Sequence, residues 1–290
     1  MKTSRMVLAV SVVAIAGCGA GKIVGGALVA TGVVGEDTGR AIGASDNLTN
    51  AMKPIGFEEE KSIGGAVALM AVSRFGGLDP DPRLQKYVNM VGTAVAQYSD
   101  RAAIPYHFAV LGSKEPNAFA CPGGYIFVTR GLVDSLHDEA ELAGVLGHEI
   151  AHVSEKHALK LIRKMKMVAG TAEISAAYLD ANPEAFDKIV NETAKSLFEK
   201  GLDKGKEADA DRIGVDYANR VGYDPNGLKD FLARLSKHEA DAKTMKNTHP
   251  PAKERVAELD RVIKKNFAMG GPRLENRFKA WVKSPAPPPG

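Results

Sequence analysis

The sequence predicts an α+β fold that is mostly helical and contains a small β-sheet. Two segments, Tyr106–Leu111 and Tyr125–Thr129, alternate and are rich in aromatic and β-branched residues, which is typical of strands. Most of the remaining chain carries apolar residues at helical spacing. With 290 residues, 44% of them apolar, the chain can bury a substantial core, and we expect one main domain with extensions.

The N-terminal segment predicts a secretory signal. Lys2 and Arg5 precede an apolar run that ends in small residues before Cys18. This ending resembles a bacterial lipobox, in which cleavage leaves a lipid-bearing cysteine. We expect residues 1–17 to be a signal peptide and Cys18 to be lipidated, with Gly19 favouring anchorage in the outer membrane. The rival interpretation, a transmembrane helix, needs roughly 20 apolar residues, and this run is shorter.

The charge and the cysteine content narrow the possibilities further. The formal net charge of +3 falls to +1 without residues 1–17, far from the strong basic excess of a nucleic-acid-binding protein. The chain has two cysteines, and a lipidated Cys18 leaves Cys121 without a partner for an intramolecular disulfide, even in an oxidising periplasm. We therefore expect the fold to be stabilised by means other than a disulfide, above all by packing.

The first elements follow from local signals. Residues 18–57 are rich in Gly, Ala, Val and Thr, which predicts a tether. A helix is predicted over Glu58–Arg74, because acids occupy its first turn and a glycine pair follows its end. A second helix starts at Pro82, since proline suits the first helical turn. Between the two strands, Asn117–Gly124 predicts a short extended piece followed by a turn.

Downstream of the strands the chain is predicted to be helical. Five segments share apolar residues three and four positions apart: Ala140–Met167, Glu184–Lys200, Lys206–Arg220, Pro225–Ala240 and Pro251–Lys265. This gives a main domain over residues 58–270 and a C-terminal tail over residues 271–290. Within that tail, Trp281 is expected to close a hydrophobic patch with Phe278 and Val282.

Residues 148 to 152 form the most informative segment, with the pattern His-Glu-x-x-His inside an apolar helical stretch. Residues four apart stack on one helix face, so His148 and His152 can bind one metal ion. Glu149 lies beside the first imidazole and can reach a water molecule held by that ion. The pattern indicates a zinc-dependent peptidase.

A third metal ligand must come from another segment, because a catalytic zinc ion usually has three protein ligands. Glu207 and Asp211 lie four apart on a predicted helix. One carboxylate can therefore bind the metal while the other accepts a hydrogen bond from the far nitrogen of a ligating histidine. Asp203 and Glu207 have the same spacing, and periodicity does not choose between the two pairs.

Four blocks together resemble family 48 of the metallopeptidases, and the similarity extends from about Glu58 to Phe267. The blocks are Asn117-Ala118-Phe119 with Pro122–Gly131, then Gly147–His152, then Glu207–Gly214, and finally Thr248–Pro251 with Arg255. The resemblance implies a gluzincin-like zinc peptidase domain, with a small β-sheet beside the His-Glu-x-x-His helix and one Zn²⁺ per chain.

The resemblance also implies roles for particular residues. It implies His148, His152 and Glu207 as zinc ligands. It implies Glu149 as general base, Asp211 as the hydrogen-bonding partner of a ligand, and His249 near the metal, where it could donate to a developing oxyanion.

Two departures from the family pattern refine this expectation. Lys204-Gly205-Lys206 stands where family members often have a Ser-Arg pair, so the path into the helix of Glu207 is expected to differ. Membrane-embedded branches of the family carry several spanning helices, and none is predicted here. The chain therefore resembles the soluble periplasmic lipoprotein branch.

A substrate is expected to lie extended along five residues, pairing through backbone atoms: Asn117, Ala118, Phe119, Ala120 and Cys121. Such pairing favours unfolded or misassembled envelope polypeptides, which predicts a role in envelope protein quality control. Cys121 is interpreted as a small buried residue, the alternative being a thiolate that caps the metal in a latent state. The four histidines treated as ordinary are His107, His137, His157 and His238.

A competing hypothesis is a non-catalytic or latent outer-membrane assembly factor that retains a zinc site. The presence of Glu149 argues against it, because a purely structural metal site needs no base beside its ligands.

Overall fold

The computed structural model describes residues 55–168, 183–237, 243–267 and 270–282. It confirms a mostly helical α+β fold with a small, three-stranded sheet. The expected signal peptide, the lipidation site Cys18 and nearly all of the tether lie outside the described residues. So do His238 and residues 283–290 of the tail.

The first part of the fold contains all strands of the sheet. Its elements are α1 (Phe57–Arg74), α2 (Pro82–Ala96), β1 (His107–Leu111), β2 (Ala118–Cys121), β3 (Tyr125–Thr129) and α3 (Arg130–Ser135). The carboxylate of Asp81 caps α2 by accepting from the backbone amides of Arg83 and Leu84. The extended piece expected at Asn117–Gly124 is the strand β2 followed by a tight turn.

The second part is helical. Its elements are α4 (Glu139–Ser154), α5 (His157–Val168), α6 (Pro183–Lys195), α7 (Lys204–Val221), α8 (Gly227–Leu235), α9 (Lys243–Thr248), α10 (Ala252–Asn266) and α11 (Glu275–Val282). A π-helical turn, Ser196–Lys200, continues α6. Asp138 caps α4 by accepting from the backbone amide of Glu141.

The strand order of the sheet is β1-β3-β2, so β2 lies at an edge. β3 pairs with β1 in parallel and with β2 in antiparallel orientation, with Phe119 opposite Phe127. The turn from β2 into β3 requires glycine, because Gly123 and Gly124 have φ values of 78° and 89°. A Cβ atom at Gly124 would also lie 2.3 Å from the carbonyl oxygen of Pro105.

Helix α4 is the centre of the fold, and every residue from Glu139 to Ser154 is buried. One hydrophobic cluster fills the space between α4, α2, one face of the sheet and helices α7, α8, α10 and α11. A second cluster lies between the other face of the sheet and α1, α5 and α6. The His-Glu-x-x-His segment is thus held rigidly from several sides.

The expectation of one continuous helix over Ala140–Met167 is wrong. The chain breaks at Lys156, whose φ of 56° lies in the left-handed region, and α5 starts in a new direction at His157. Neither a glycine nor a proline marks this break in the sequence. The cause is tertiary, because the buried side chains of α5 pack with those of α1 and α6 in the second cluster.

The described part of the C-terminal segment forms α11 and packs on the main domain. Phe278 and Val282 are buried, and the ring of Trp281 stacks on Tyr87 with centroids 5.5 Å apart and planes at 4°. This is the hydrophobic patch that the sequence indicates. Within the described ranges, no helix combines the length and the apolar character needed to cross a bilayer.

Candidate metal centre

Two helices meet closely at the candidate site. Gly147 of α4 lies against Gly214 of α7, where a Cβ atom on Gly147 would come within 2.4 Å of the Gly214 carbonyl oxygen. Only glycine at both positions allows this backbone contact. The contact places the Glu207 and Asp211 side chains of α7 beside the imidazoles of α4.

Four side chains offer metal-ligating atoms that all lie within 4.8 Å of one another: His148, His152, Glu207 and His249. The Nε2 atoms of His148 and His152 are 3.0 Å apart, and they lie 3.5 and 3.4 Å from the two carboxylate oxygens of Glu207. Ligand atoms around a tetrahedral zinc ion are spaced by roughly 3.3 Å, which follows from bonds of about 2.0 Å. The spacing therefore fits one such ion.

The chemistry of these donors also fits a cation. The Oε1 atom of Glu207 is buried and accepts no hydrogen bond from any described residue. Burial alone would raise the pKa of Glu207, but the neighbouring His249 and the hydrogen bond with His148 hold this pKa well below its usual range. A buried, ionised oxygen without a donor is costly unless a positive charge lies against it. A divalent metal ion bound there would supply that charge.

His249 lies closer to Glu207 than the sequence indicates. Its Nδ1 atom is 2.6 Å from Glu207 Oε2, and it directly follows the short helix α9. The site therefore offers four candidate donors, one more than the three protein ligands that leave a catalytic zinc an open position.

Asp211 lies behind His148. Its Oδ1 atom is 2.9 Å from His148 Nδ1, and Arg255 of α10 binds both of its carboxylate oxygens at 2.9 and 2.6 Å. Burial would raise the pKa of Asp211, but the Arg255 guanidinium holds it well below the usual range. Asp211 thus remains an anion that orients His148. In the sequence, Arg255 matches the family pattern, but no role could be assigned to it. Its contact with Asp211 joins residues 44 positions apart, and local spacing does not reveal such a contact.

His157 lies behind His152. Their Nδ1 atoms are 2.8 Å apart, and both side chains are buried. Burial lowers the pKa of His157 to about 4, so this imidazole is neutral near pH 7. The sequence shows no ligand-like partner pattern for His157, and on a continuous helix a residue five positions after His152 would point away from it. Because the helix breaks at Lys156, the His157 side chain instead lies against His152.

Glu149 faces a narrow cleft of about 280 Å³ beside the four donors. The cleft is lined by Phe119 and Ala120 of β2, and by Leu197 and Leu202 on its other side. Burial raises the pKa of Glu149 above its usual value. A carboxylate in this position can exchange a proton with a water molecule or an amine in the cleft.

The five residues expected along a substrate are all buried, and four of them form β2. Asn117 is fixed to Thr129, whose hydroxyl accepts its backbone N–H at 2.9 Å. Cys121 borders a neighbouring cleft together with His152, and burial raises the pKa of its thiol well above the usual range. Among the described residues, the cluster of metal-ligating atoms does not include Cys121.

The alternative pair of carboxylates does not fit the site. Asp203 is 83% exposed and pairs with Lys206 at the surface, so Glu207 and Asp211 are the pair that faces the histidines. His107 and His137, also treated as ordinary, are exposed away from the cluster.

Comparison with known proteins finds relatives that are named as proteases. The chain is 29% identical over 248 residues to the beta-barrel assembly-enhancing protease of Yersinia pestis, which covers 80% of this chain and 50% of that protein. It is 28% identical over 177 residues to the mitochondrial metalloendopeptidase OMA1 of Schizosaccharomyces pombe, covering 60% and 51%. It is 26% identical over 160 residues to the metalloprotease YcaL of Escherichia coli, covering 54% and 63%. The chain thus spans half to two thirds of these relatives.

The family assignment rests on a family-model match that covers more than half of the chain. The model of Peptidase family M48 matches residues 82–263, from the start of α2 to near the end of α10. This range includes the sheet, the His-Glu-x-x-His helix, the helix of Glu207 and the loop of His249. The chain belongs to peptidase family M48.

Proposed function

We propose that the protein is a zinc-dependent endopeptidase that cleaves unfolded or misassembled envelope proteins. The observation that carries this proposal is the convergence of His148, His152 and Glu207 beside a cleft that also holds Glu149. The relatives named metalloendopeptidase, metalloprotease and assembly-enhancing protease support it.

Three side chains would hold the metal: His148, His152 and Glu207. A zinc ion bound there supplies Lewis acidity, which polarises the scissile carbonyl and acidifies a water molecule. Imidazole and carboxylate donors suit zinc, and the buried Oε1 atom of Glu207 provides a ligand that no protein donor claims within the described chain. We expect one ion per chain.

Glu149 acts as general base and then as general acid. Its carboxylate takes a proton from the attacking water and returns it to the leaving amine, because it lies in the cleft beside the candidate ligands and is not one of them. Asp211, fixed by Arg255, keeps the proton of His148 on Nδ1, so that Nε2 offers its lone pair. His249 would donate to the oxyanion once a substrate separates it from Glu207.

The edge strand β2 suggests the kind of substrate. A peptide that pairs with an edge strand must be extended and free of its own structure, which describes unfolded or misassembled chains. The cleft beside β2 is lined by Phe119, Leu197 and Leu202, which suits apolar side chains. The name of the Yersinia pestis relative and the expected lipid anchor at Cys18 together favour the periplasmic side of the outer membrane.

The test is cleavage of unfolded casein by metal-loaded protein. We expect Glu149→Gln to keep the metal and to lower cleavage by about 10²- to 10⁴-fold, the usual contribution of a positioned acid–base group. The matched control is Glu155→Gln at the partly exposed residue that follows α4, and it should cleave like the wild type. Full cleavage by metal-loaded Glu149→Gln would overturn the assignment of the base.

One observation favours the competing function, a latent assembly factor that holds clients without cutting them. His249 is within reach of the metal position and would complete a closed set of four ligands. His249→Ala separates the two functions. If His249 serves the oxyanion, the variant cleaves casein more slowly, and if it closes the site, the variant cleaves faster. A protein that retains clients in co-purification and cleaves in neither form is the assembly factor.

A further inference from the structure

The two candidate metal-ligating histidines of α4 are supported by different chemical groups. His148 Nδ1 lies 2.9 Å from the Asp211 carboxylate, which Arg255 holds in turn. His152 Nδ1 lies 2.8 Å from Nδ1 of a second imidazole, that of His157. The rings of His152 and His157 have centroids 5.0 Å apart and planes at 66°, so the two nitrogens face each other at hydrogen-bonding distance.

A hydrogen bond between two imidazole nitrogens contains one proton, so one ring donates and the other accepts. The Nε2 atom of His152 is the one that faces the cluster, 3.0 Å from His148 Nε2 and 3.4 Å from Glu207 Oε1. A nitrogen that binds a metal must offer a free lone pair. The proton of a neutral His152 must therefore be on Nδ1, and His157 Nδ1 must accept it.

We propose that His157 is a positioning residue that holds His152 in the tautomer and orientation needed to bind the metal. This inference rests on the proposed metal-dependent function. His157 acts only through His152, since it does not belong to the cluster of metal-ligating atoms in the described chain.

The backbone between α4 and α5 makes the contact between His152 and His157 possible. On a continuous helix, five residues correspond to about 500°, which would turn His157 by roughly 140° away from His152. Lys156 has a φ of 56°, and this left-handed residue ends α4 and starts α5 with His157 beneath His152. His157 is only 1% exposed, so water does not compete for its Nδ1 atom.

The consequence is an asymmetric metal site. An anionic acceptor behind His148 strengthens the donation of that ligand, whereas the imidazole behind His152 fixes direction without adding a further negative charge. With Arg255 neutralising Asp211, the carboxylates that line the cleft among the described residues are Glu207 and Glu149. A carboxylate at position 157 would add one more buried anion and disturb this balance.

The test measures zinc affinity by competition with a chromophoric chelator, and the absorption spectrum of the Co²⁺-loaded protein. We expect His157→Leu to bind zinc about 10- to 100-fold more weakly, as is usual when the support of a ligand is lost, and to change the Co²⁺ spectrum. His157→Gln, whose amide oxygen can accept from His152 Nδ1, should recover most of the affinity. The matched control His107→Leu changes an exposed histidine and should bind like the wild type.

Tautomers give a measurement that needs no variant. Long-range ¹H–¹⁵N correlation spectra of the zinc-loaded wild type should find His152 protonated on Nδ1 and His157 protonated on Nε2 only. A His157 ring protonated on Nδ1, or unchanged zinc affinity in a folded His157→Leu variant, would overturn the inference. A wild type that binds no zinc would instead overturn the proposed function, so the two failures are distinguishable.

Discussion

The two ends of α4 bury acids in contrasting ways. At the N-terminal end, Glu139 is 1% exposed and accepts hydrogen bonds from the Tyr87 and Tyr223 hydroxyls at 2.6 and 2.5 Å. Arg277 binds both of its carboxylate oxygens. Glu141, two residues further along α4, is bound in the same way by Arg234. Each of these buried charges has its full set of partners.

The C-terminal end faces a different environment. There, Glu207 of the adjacent helix α7 is equally buried, but its Oε1 atom lacks a hydrogen-bond donor among the described residues, and the Nε2 atoms of His148 and His152 lie 3.0 Å apart. Burial of an acid therefore does not distinguish structure from function along this helix. The distinguishing feature is whether the polar atoms are satisfied by the protein itself. The satisfied end stabilises the fold, and the other end offers donor atoms that a metal ion could bind.

The largest effect that sharpens this contrast is removal of the metal. With free zinc a thousandfold above its dissociation constant, binding stabilises the folded state by about 4 kcal/mol. We expect chelation to lower the thermal midpoint of the wild type by roughly 8–16 °C. Glu207→Ala should show no zinc-dependent change in calorimetry. An equal response of that variant would mean that zinc binds elsewhere.

The next largest effect is expected at the N-terminal end of α4, where Glu139 lies. Glu139→Ala leaves two buried tyrosine hydroxyls and Arg277 without their acceptor, so we expect the metal-free protein to lose about 2–4 kcal/mol of unfolding free energy. Urea unfolding measures this loss. Zinc affinity of the folded variant should match the wild type. Glu275→Ala on α11 is the control, because its pair with Lys279 is exposed.

A smaller effect is expected from Arg255. This residue pairs with the buried Asp211, and Asp211 in turn orients His148. Arg255→Met removes both hydrogen bonds to Asp211, and we expect zinc affinity to fall about 10- to 100-fold. The stability of the metal-free form should also fall, because Asp211 becomes a buried unpaired anion. Arg212→Met on the exposed face of α7 should change neither quantity. Loss of stability with unchanged affinity would assign Arg255 to the fold alone.

The smallest effect is a pH dependence of stability. Burial would raise the pKa of Glu139, but hydrogen bonds from Arg277, Tyr223 and Tyr87 hold it below the usual value of 4.5. A lowered pKa contributes stability that is present at neutral pH and is lost as the pH falls below about 4.5. Urea unfolding of the metal-free protein between about pH 6 and pH 3.5 should show a shallower pH slope for Glu139→Gln than for the wild type. Parallel slopes would contradict this.

The sequence predicts those parts of the site that depend on local periodicity. The spacing of His148, Glu149 and His152 and the helix of Glu207 are visible in the chain, because helical neighbours are fixed by residue spacing. Periodicity alone does not choose Asp211 over Asp203; the family resemblance implies Asp211, and the close approach of α4 and α7 places it beside His148.

The parts that the sequence did not predict depend on distant contacts. The break at Lys156 has no local signal, and without it His157 cannot be assigned to His152. The packing of α11 on α2 and α4 depends on Arg277, which contacts Glu139 across 138 residues. A pattern that is local in sequence carries no information about such pairs.

The main-chain contact between Gly147 and Gly214 has a consequence for the choice of metal. It fixes the gap between the imidazole-bearing and the carboxylate-bearing helices by backbone atoms alone, so the aperture for the ion does not depend on how neighbouring side chains repack. An added methyl group, as in Gly214→Ala, would force the helices apart. The ratio of cadmium to zinc affinity would then rise, because a wider aperture suits the larger ion, and an unchanged ratio would mean that the ligands themselves set the size.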